Sequence, residues 1–213
     1  MKGLLIKDFC LLRNQNRTVP IFLVLAVWFA VMNQITFCIS FLTMMSAILA
    51  MSTCSYDELD NCQTHLFAMP FDRKTYATGK FVLGVILLVA ALALAFLSCL
   101  GRQLAVHDVN MPEVLQTVGI CFFLGLIFIS IMVPLRIRFP GDQGRIAIGI
   151  LMGVGMLSAA VLSRAMPNGT EVLATGLAGL SLPAVFALLA ALTLVIIAIS
   201  YTLSVRWIRK KEF

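Results

Sequence analysis

Few residues of this chain have the types and spacing that catalysis or ligand binding requires, and most of them lie between residues 55 and 80. Asp57 and Asp60 are three positions apart, which on a helix places both carboxylates on one side, where they could hold Mg²⁺ for chemistry on a lipid head group. Neither the small residues nor the second acidic pair of such enzymes follows them. We therefore predict that the chain is not an enzyme and has no cofactor of its own.

The cysteines and histidines of the chain show no spacing typical of disulfides or of a metal site. The six cysteines have no paired spacing, and four of them lie within or beside apolar runs, as small buried hydrophobic residues do. His65 and His107 are far apart and have no neighbouring ligand at metal spacing. We predict no metal site.

The composition is that of an integral membrane protein. Of the 213 residues, 61% are hydrophobic and 12% charged, against roughly 45–50% and 25% in soluble domains. The net charge of +6 would suggest nucleic acid in a soluble chain, but here the basic residues stand beside apolar runs, where they set membrane orientation. We predict no nucleic-acid partner.

The apolar runs predict an all-α chain that crosses the bilayer six times as a single permease-like domain, 1–213. The 39 uncharged residues between Arg17 and Asp57 are too long for one crossing of a core about 30 Å thick, so they predict two spans with a turn at Asn33 and Gln34. The predicted spans lie near residues 18–33, 36–54, 81–100, 114–135, 146–163 and 180–203.

The distribution of basic residues predicts the orientation. With six spans, fourteen of the sixteen lysines and arginines fall on one side, together with both termini and residues 55–80. The positive-inside rule places that side in the cytoplasm. Residues 1–17 are expected to form a short interfacial helix, because Leu5, Phe9 and Leu12 recur at helical spacing.

The polar segment 55–80 has helix-start and helix-stop signals of its own. Ser55 followed by Glu58 is a capping box, which predicts a helix from Tyr56 to about Met69. Pro70 ends that helix, and Asp72 can cap a second one that begins at Arg73. The predicted helix between spans two and three would be exposed to water.

Two runs of small residues fall within the predicted spans. Span two has Thr36, Ser40, Thr43 and Ala47 at helical spacing, and span five has Gly149 and Gly153 in a GxxxG pattern. Close helix packing within one subunit would explain both. A seam between subunits or a substrate path would also explain them, and the sequence does not decide between these readings.

The chain also lacks the sequence features that would let it drive transport by itself. No charged residue or histidine lies well inside a span, which argues against an ion-coupled transporter. Thr78-Gly79-Lys80 lacks the upstream glycine of a nucleotide-binding loop. If the protein moves a substrate uphill, another chain must supply the energy.

Three stretches resemble the six-span permease subunits of ABC-2 type transporters, especially the short bacterial ones grouped with peptide and bacteriocin exporters. They are Met1 to Asp8, Ser55 to Glu58, and Met69 to Phe81. The family commonly has Tyr-Asp-Glu after span two, then Leu-Pro, an Arg-Lys pair and Gly-Lys before span three.

The resemblance implies a permease in the bacterial cytoplasmic membrane that forms a homodimer or a heterodimer of two similar chains. It also implies that this dimer is bound to two ATPase subunits, which hold ATP and Mg²⁺. It implies export of amphipathic or hydrophobic peptides; a drug, lipid or other small molecule, or a non-transport scaffold or sensor, are the alternatives. The helix between spans two and three would be the coupling helix that docks on the ATPase. The coupling residues would be Tyr56, Asp57, Glu58, Leu66, Phe67, Pro70, Arg73 and Lys74.

Overall fold

The computed structural model describes residues 2–14, 18–32, 34–58, 73–106, 110–139, 143–144, 146–150, 153–154, 157–158 and 182–210. These residues are almost all helical and include no strand, which confirms the all-α prediction. The helices are α1 (Lys2–Asn14), α2 (Thr18–Val31), α3 (Ile35–Glu58), α4 (Arg73–Val106), α5 (Met111–Arg138) and α6 (Leu182–Lys210).

Four of the described helices are long and apolar enough to cross a membrane. The candidate spans are Ile35–Asp57, Thr75–Leu104, Met111–Arg138 and Pro183–Trp207. A shorter apolar helix covers Pro20–Phe29. Half of the predicted fifth span, 146–163, lies outside the described residues, so the six-span arrangement stays a prediction.

Helix α3 packs against four of the other described helices. It contacts α1, α2, α4 and α5, and α5 in turn packs against α6. Glycines allow the closest approaches: a Cβ on Gly125 would lie 2.5 Å from Leu88 Cδ1 and 2.9 Å from Thr43 Cγ2. A Cβ on Gly84 would lie 2.8 Å from Ile129 Cγ2. Backbones at these crossings are therefore close enough that only glycine fits without displacement.

The end of α3 differs from the sequence prediction. The helix runs without a break through Ser55 to Glu58, and the Ser55 hydroxyl donates to the carbonyl oxygen of Met51 at 3.4 Å. Ser55 is therefore in the interior of a helix and is not a cap, so the predicted capping box is wrong. The apolar helix continues because its last residues have partners in α1 and α4, as described below.

The apolar run of 39 residues is divided between two helices. Helix α2 ends at Val31 and α3 begins at Ile35. The Nη1 of Arg102, from α4, donates to the carbonyl oxygen of Val31 at 2.7 Å, which satisfies a backbone acceptor left free at the end of α2. The rings of Phe29 and Phe37 pack edge-to-face with centroids 4.6 Å apart. These contacts hold α2 beside α3.

Helix α1 packs on α3 and α4 with one side and is exposed on the other. Asp8 is 1% exposed, whereas Ile6 and Phe9 are 63% and 45% exposed. Leu4 packs against the core. This helix thus has a polar residue on its buried side and apolar residues on its exposed side, which is the arrangement expected of a helix whose outer surface faces lipid.

Candidate functional site

Two pairs of polar side chains, one on α3 and one on α4, face each other near the ends of these helices. Thr53 and Asp57 are four residues apart on α3, and Tyr76 and Lys80 are four residues apart on α4, so each pair shares one face of its helix. All four residues are at most 3% exposed. Helix α1 adds Lys7 and Asp8 to the same place. We call these six residues the charge cluster.

Lys80 is at the centre of the charge cluster. Its ammonium nitrogen lies 2.7 Å from Asp57 Oδ2 and 2.9 Å from Asp8 Oδ1, and it donates to the Thr53 hydroxyl at 3.4 Å. The same nitrogen is 5.6 Å from the centroid of the Tyr76 ring. A lysine ammonium has three protons to donate, and here two carboxylates and one hydroxyl receive them. The buried cation is therefore fully hydrogen-bonded.

Asp57 contacts residues of both α4 and α1. Its Oδ2 accepts a hydrogen bond of 3.0 Å from the Tyr76 hydroxyl in addition to the ion pair with Lys80. Its Oδ1 pairs with Lys7 of α1. Lys7 also lies 3.5 Å from Asp8, and its side chain is 29% exposed, so it forms the outer edge of the charge cluster. Two lysines thus neutralise two aspartates.

The charge cluster is suited to holding helices together and not to catalysis. Burying a charge is very costly unless it is paired and hydrogen-bonded, and removing one partner of a buried pair typically costs about 3–5 kcal/mol. The four charges therefore oppose separation of α1 from α3 and α4. Among the described residues, no group of acidic, histidine or cysteine side chains could hold a metal ion.

The charge cluster stands at the base of the polar segment that links α3 to α4. Asp57 is the last residue but one of α3, and Lys80 is the eighth residue of α4. Residues 59–72, between these helices, are outside the described part of the chain. A force applied to that segment would reach α3 and α4 at their joined ends, together with α1.

The structure places only some of the predicted coupling residues. Tyr56 is 38% exposed, Glu58 is the last residue of α3, and Arg73 and Lys74 begin α4. Leu66, Phe67 and Pro70 lie outside the described residues. Asp57 is 1% exposed and pairs within its own chain. The contact of the predicted coupling residues with an ATPase stays a prediction.

The two predicted small-residue surfaces differ in their contacts within the structure. Thr43 and Ala47 are buried, at 7% and 3% exposure, and Thr43 packs where α3 crosses Gly125, so this part of span two serves packing within the chain. Ser40 and Thr36 are exposed, and the Ser40 hydroxyl donates to the Thr36 carbonyl oxygen. A Cβ on Gly149 or Gly153 would have no atom within 4 Å in the described part of the structure.

Sequence reasoning missed five members of the charge cluster, namely Lys7, Asp8, Thr53, Tyr76 and Lys80. A signal was present in the sequence. The Lys-Asp pair inside the amphipathic helix needs partners if it is buried, and so does the lysine that follows five uncharged residues at the start of an apolar run. Asp8, Asp57 and Lys80 also belong to the three stretches that carried the family resemblance.

A comparison with protein families agrees with that resemblance. The profile of a family described as ABC-2 family transporter protein matches residues 3–209, which is nearly the whole chain. A search of curated proteins gives no significant match.

Proposed function

The chain belongs to the ABC-2 transporter family, and we propose that it is the permease subunit of an ATP-driven exporter of amphipathic or hydrophobic peptides. In this proposal, two copies of the permease form the translocation unit, and two ATPase subunits bind them from the cytoplasm. ATP and Mg²⁺ are held by the ATPase subunits.

The charge cluster is the observation that carries the proposal. A permease driven by a separate ATPase must convert a movement at its surface into a movement of its membrane helices. The segment 59–72 would receive that movement, and its two ends emerge from helices joined by Asp57 and Lys80, with nitrogen and oxygen 2.7 Å apart. Because these ends are tied together, a push on the segment would move α3 and α4 as one body.

Helix α1 would extend the same body. The ion pair between Asp8 and Lys80, at 2.9 Å, fixes α1 to α4, and Lys7 pairs with Asp57 of α3. An amphipathic helix held in this way resists rotation of the α3 and α4 ends, because its exposed apolar residues must stay in contact with lipid. The proposed coupling unit therefore comprises α1, segment 59–72 and the adjoining ends of α3 and α4.

Contact with the ATPase is assigned to the remaining predicted coupling residues. Tyr56 is partly exposed at the end of α3, next to buried Asp57. We propose that Tyr56, Leu66 and Phe67 are the apolar anchors, and that Glu58, Arg73 and Lys74 form the charged rim. Aromatic and aliphatic anchors usually dominate the affinity of such contacts, whereas rim charges contribute less.

The choice of substrate rests on the character of the spans. In the described candidate spans, the buried ionisable side chains Asp57, Lys80 and Arg136 lie toward helix ends, and the middle parts are uncharged. Walls of this kind suit apolar cargo. They offer no charged group that would select a hydrophilic solute.

Dimerisation would use surfaces that remain exposed in the single chain. Ile146, Ile150 and Val154 are each about 60% exposed, and Gly149 and Gly153 lie among them. We propose this surface as a seam between the two permeases. Gly153→Leu should then weaken dimerisation in detergent while leaving membrane insertion intact, because a bulky residue separates backbones that small residues allow to touch.

Reconstitution with the copurifying ATPase tests the proposed function. In proteoliposomes, ATP should drive movement of a fluorescent amphipathic peptide, and Phe67→Ala should weaken ATPase binding more than Asp60→Ala does, because the first removes an anchor and the second a rim charge. Absence of any ATPase partner would favour a scaffold or sensor. ATP-driven movement of a labelled lipid or drug, without movement of the peptide, would contradict the proposed substrate.

A further inference from the structure

An apolar cavity of about 390 Å³ lies between α1, α2, α3 and α4, further along α3 and α4 than the charge cluster. Every one of the four helices contributes side chains to its wall, and Ser46 is the one polar residue among the described residues that line it. The Ser46 hydroxyl is already satisfied, because it donates to the carbonyl oxygen of Thr43 at 2.7 Å. The cavity therefore offers almost no site for water, which needs two to four polar partners.

The cavity has a closed floor and an open side. Leu42, Ser46 and Ala91 are at most 7% exposed and form the floor. Phe9, Leu23 and Leu94 also line the cavity but are 45%, 39% and 45% exposed, so the opening lies beside them. Because Leu23 and Leu94 belong to apolar membrane helices, this opening faces the hydrocarbon of the bilayer.

The cavity lies deep in the hydrocarbon, around the centre of the bilayer. Measured along α3 at about 1.5 Å per residue, the lining residues Leu49 and Leu42 lie roughly 12 and 22 Å from Asp57. Along α4, Leu87 and Leu94 lie roughly 10 and 21 Å from Lys80. Charged side chains mark the polar boundary of the membrane, and half of the hydrocarbon core is about 15 Å thick. The cavity thus extends from below that boundary to just beyond the bilayer centre.

The helix that contributes Phe9 to the mouth of the cavity has a basic sequence. Helix α1 supplies Phe9 and Leu12 to the wall, and its sequence carries Lys2, Lys7 and Arg13 against a single acid, Asp8. Within the charge cluster, the two lysines balance the two aspartates, so α1 retains a basic excess from Lys2 and Arg13. Basic residues at a membrane surface attract anionic lipid head groups.

From these observations we infer that the cavity holds one acyl chain of an anionic phospholipid, taken from the leaflet next to α1. The chain fills the apolar space between the four helices, and its phosphate group stays at the surface near α1. None of the described residues that line the site is a predicted coupling residue.

Photolabelling of the full chain in nanodiscs tests this inference. The probe is a phosphatidylglycerol that carries a diazirine midway along one acyl chain, with a phosphatidylcholine of identical chains for comparison. We expect adducts to concentrate in residues 42–49 and 87–94, at a higher yield than on exposed α6 residues such as Leu194, and with the anionic probe favoured. Labelling spread evenly over the lipid-facing helices, or equal for the two probes, would overturn the inference.

A pair of identical substitutions on α4 supplies the matched control. Ala90 and Ala93 are both exposed, but only Ala90 lines the cavity. Ala90→Phe should lower the yield of adducts in residues 42–49 and 87–94 by about tenfold. Excluding one methylene of the acyl chain from an apolar site lowers binding about fourfold, so a tenfold loss corresponds to the exclusion of about two methylenes. Ala93→Phe should leave the yield unchanged. Met45→Phe, which fills the same space from α3, should act like Ala90→Phe; unchanged labelling in both filled variants would overturn the inference.

Cysteine chemistry distinguishes the other occupants. In a Leu94→Cys variant, reaction with a water-soluble maleimide would show that the cavity is open to water. Disulfide formation between two copies of that variant would show that a second permease covers the opening. Either result would overturn the acyl-chain assignment, whereas protection from both, with lipid adducts present, is the expected outcome.

Discussion

Replacing Lys80 with methionine should be among the most destabilising single changes in the described structure. Methionine keeps the length and apolar stem of lysine but removes the charge. Asp57 and Asp8, which lie 2.7 and 2.9 Å from the Lys80 nitrogen and are each 1% exposed, would then share Lys7 as their nearest cation. Leaving a buried charge uncompensated typically costs about 3–5 kcal/mol, and we expect a loss of that size in the free energy of unfolding.

Lys7→Met is the matched control. Lys7 pairs with the same two aspartates, but its side chain is 29% exposed, and both carboxylates would keep Lys80 as a partner. Ion pairs that remain accessible to water contribute about 0–1 kcal/mol. The two lysine substitutions should therefore differ several-fold in how much they lower the free energy of unfolding, although they remove identical groups from the charge cluster.

Equilibrium unfolding in mixed detergent micelles, followed by circular dichroism, measures both effects. Asp8→Asn should cost less in the Lys80→Met background than in the wild-type protein, because it removes a carboxylate that has already lost its nearest cation. The expected coupling is about 0.5–3 kcal/mol. If Lys80→Met costs no more than Lys7→Met, or if the two changes at Asp8 and Lys80 are additive, the charge cluster does not hold the helices together as described.

Two further predictions concern packing and topology. Gly125→Ala should lower the free energy of unfolding by about 1–3 kcal/mol, because its Cβ would meet Leu88 and Thr43 at 2.5 and 2.9 Å, whereas Gly149→Ala should not, because it meets no described atom within 4 Å; equal effects in the same assay would contradict this reading. Cysteines placed near His107 and Asn168 should react with an impermeant reagent from outside the cell, and cysteines near Asp60, Gly141 and Lys210 should not, so external labelling at Asp60 would reverse the predicted orientation.

Hydrophobic patterning was sufficient to predict the four long apolar helices among the described residues. A run such as residues 81–100 has no charge and is long enough to cross a bilayer, and the surrounding α4 indeed forms one continuous helix. The start of α4 at Arg73 agrees with the prediction made from Asp72 and Pro70. Its end at Val106 was not predicted, because a helix does not have to stop where the apolar run stops.

The error at Ser55 shows that contacts between residues distant in sequence can outweigh a local capping pattern. A capping interaction contributes about 0.5–2 kcal/mol, and the Ser55–Glu58 spacing predicted a helix start on that basis. Continuing α3 to Glu58 instead brings Asp57 into contact with Lys7 and Lys80, 50 and 23 positions away. Contacts between such separated residues leave no periodic trace in the sequence, which is why segment 55–58 was expected to be exposed.

Glycine positions illustrate the same limit. The GxxxG pair at Gly149 and Gly153 is the more conspicuous motif, yet the described close approaches occur at Gly84, Gly119, Gly125 and Gly144. Small size makes a close contact possible, but the neighbouring helix decides whether it occurs. The identity of that neighbour depends on how the helices are arranged, which the sequence pattern of one helix does not specify.

The use of ion pairs at the base of segment 59–72, where apolar packing could have joined the helices, has a physical rationale. Apolar contacts are non-directional, so packed helices can slide by part of a turn at little cost. An ammonium bound to Asp8, Asp57 and Thr53 at once has one position that satisfies all three, so sliding any of the three helices breaks a hydrogen bond to a buried charge. The charge cluster thus fixes the relative height of α1, α3 and α4. Buried ion pairs are often no more stabilising than apolar replacements of similar volume. What the charge cluster would contribute to the proposed coupling unit is therefore a fixed relative position of the helices and not added stability.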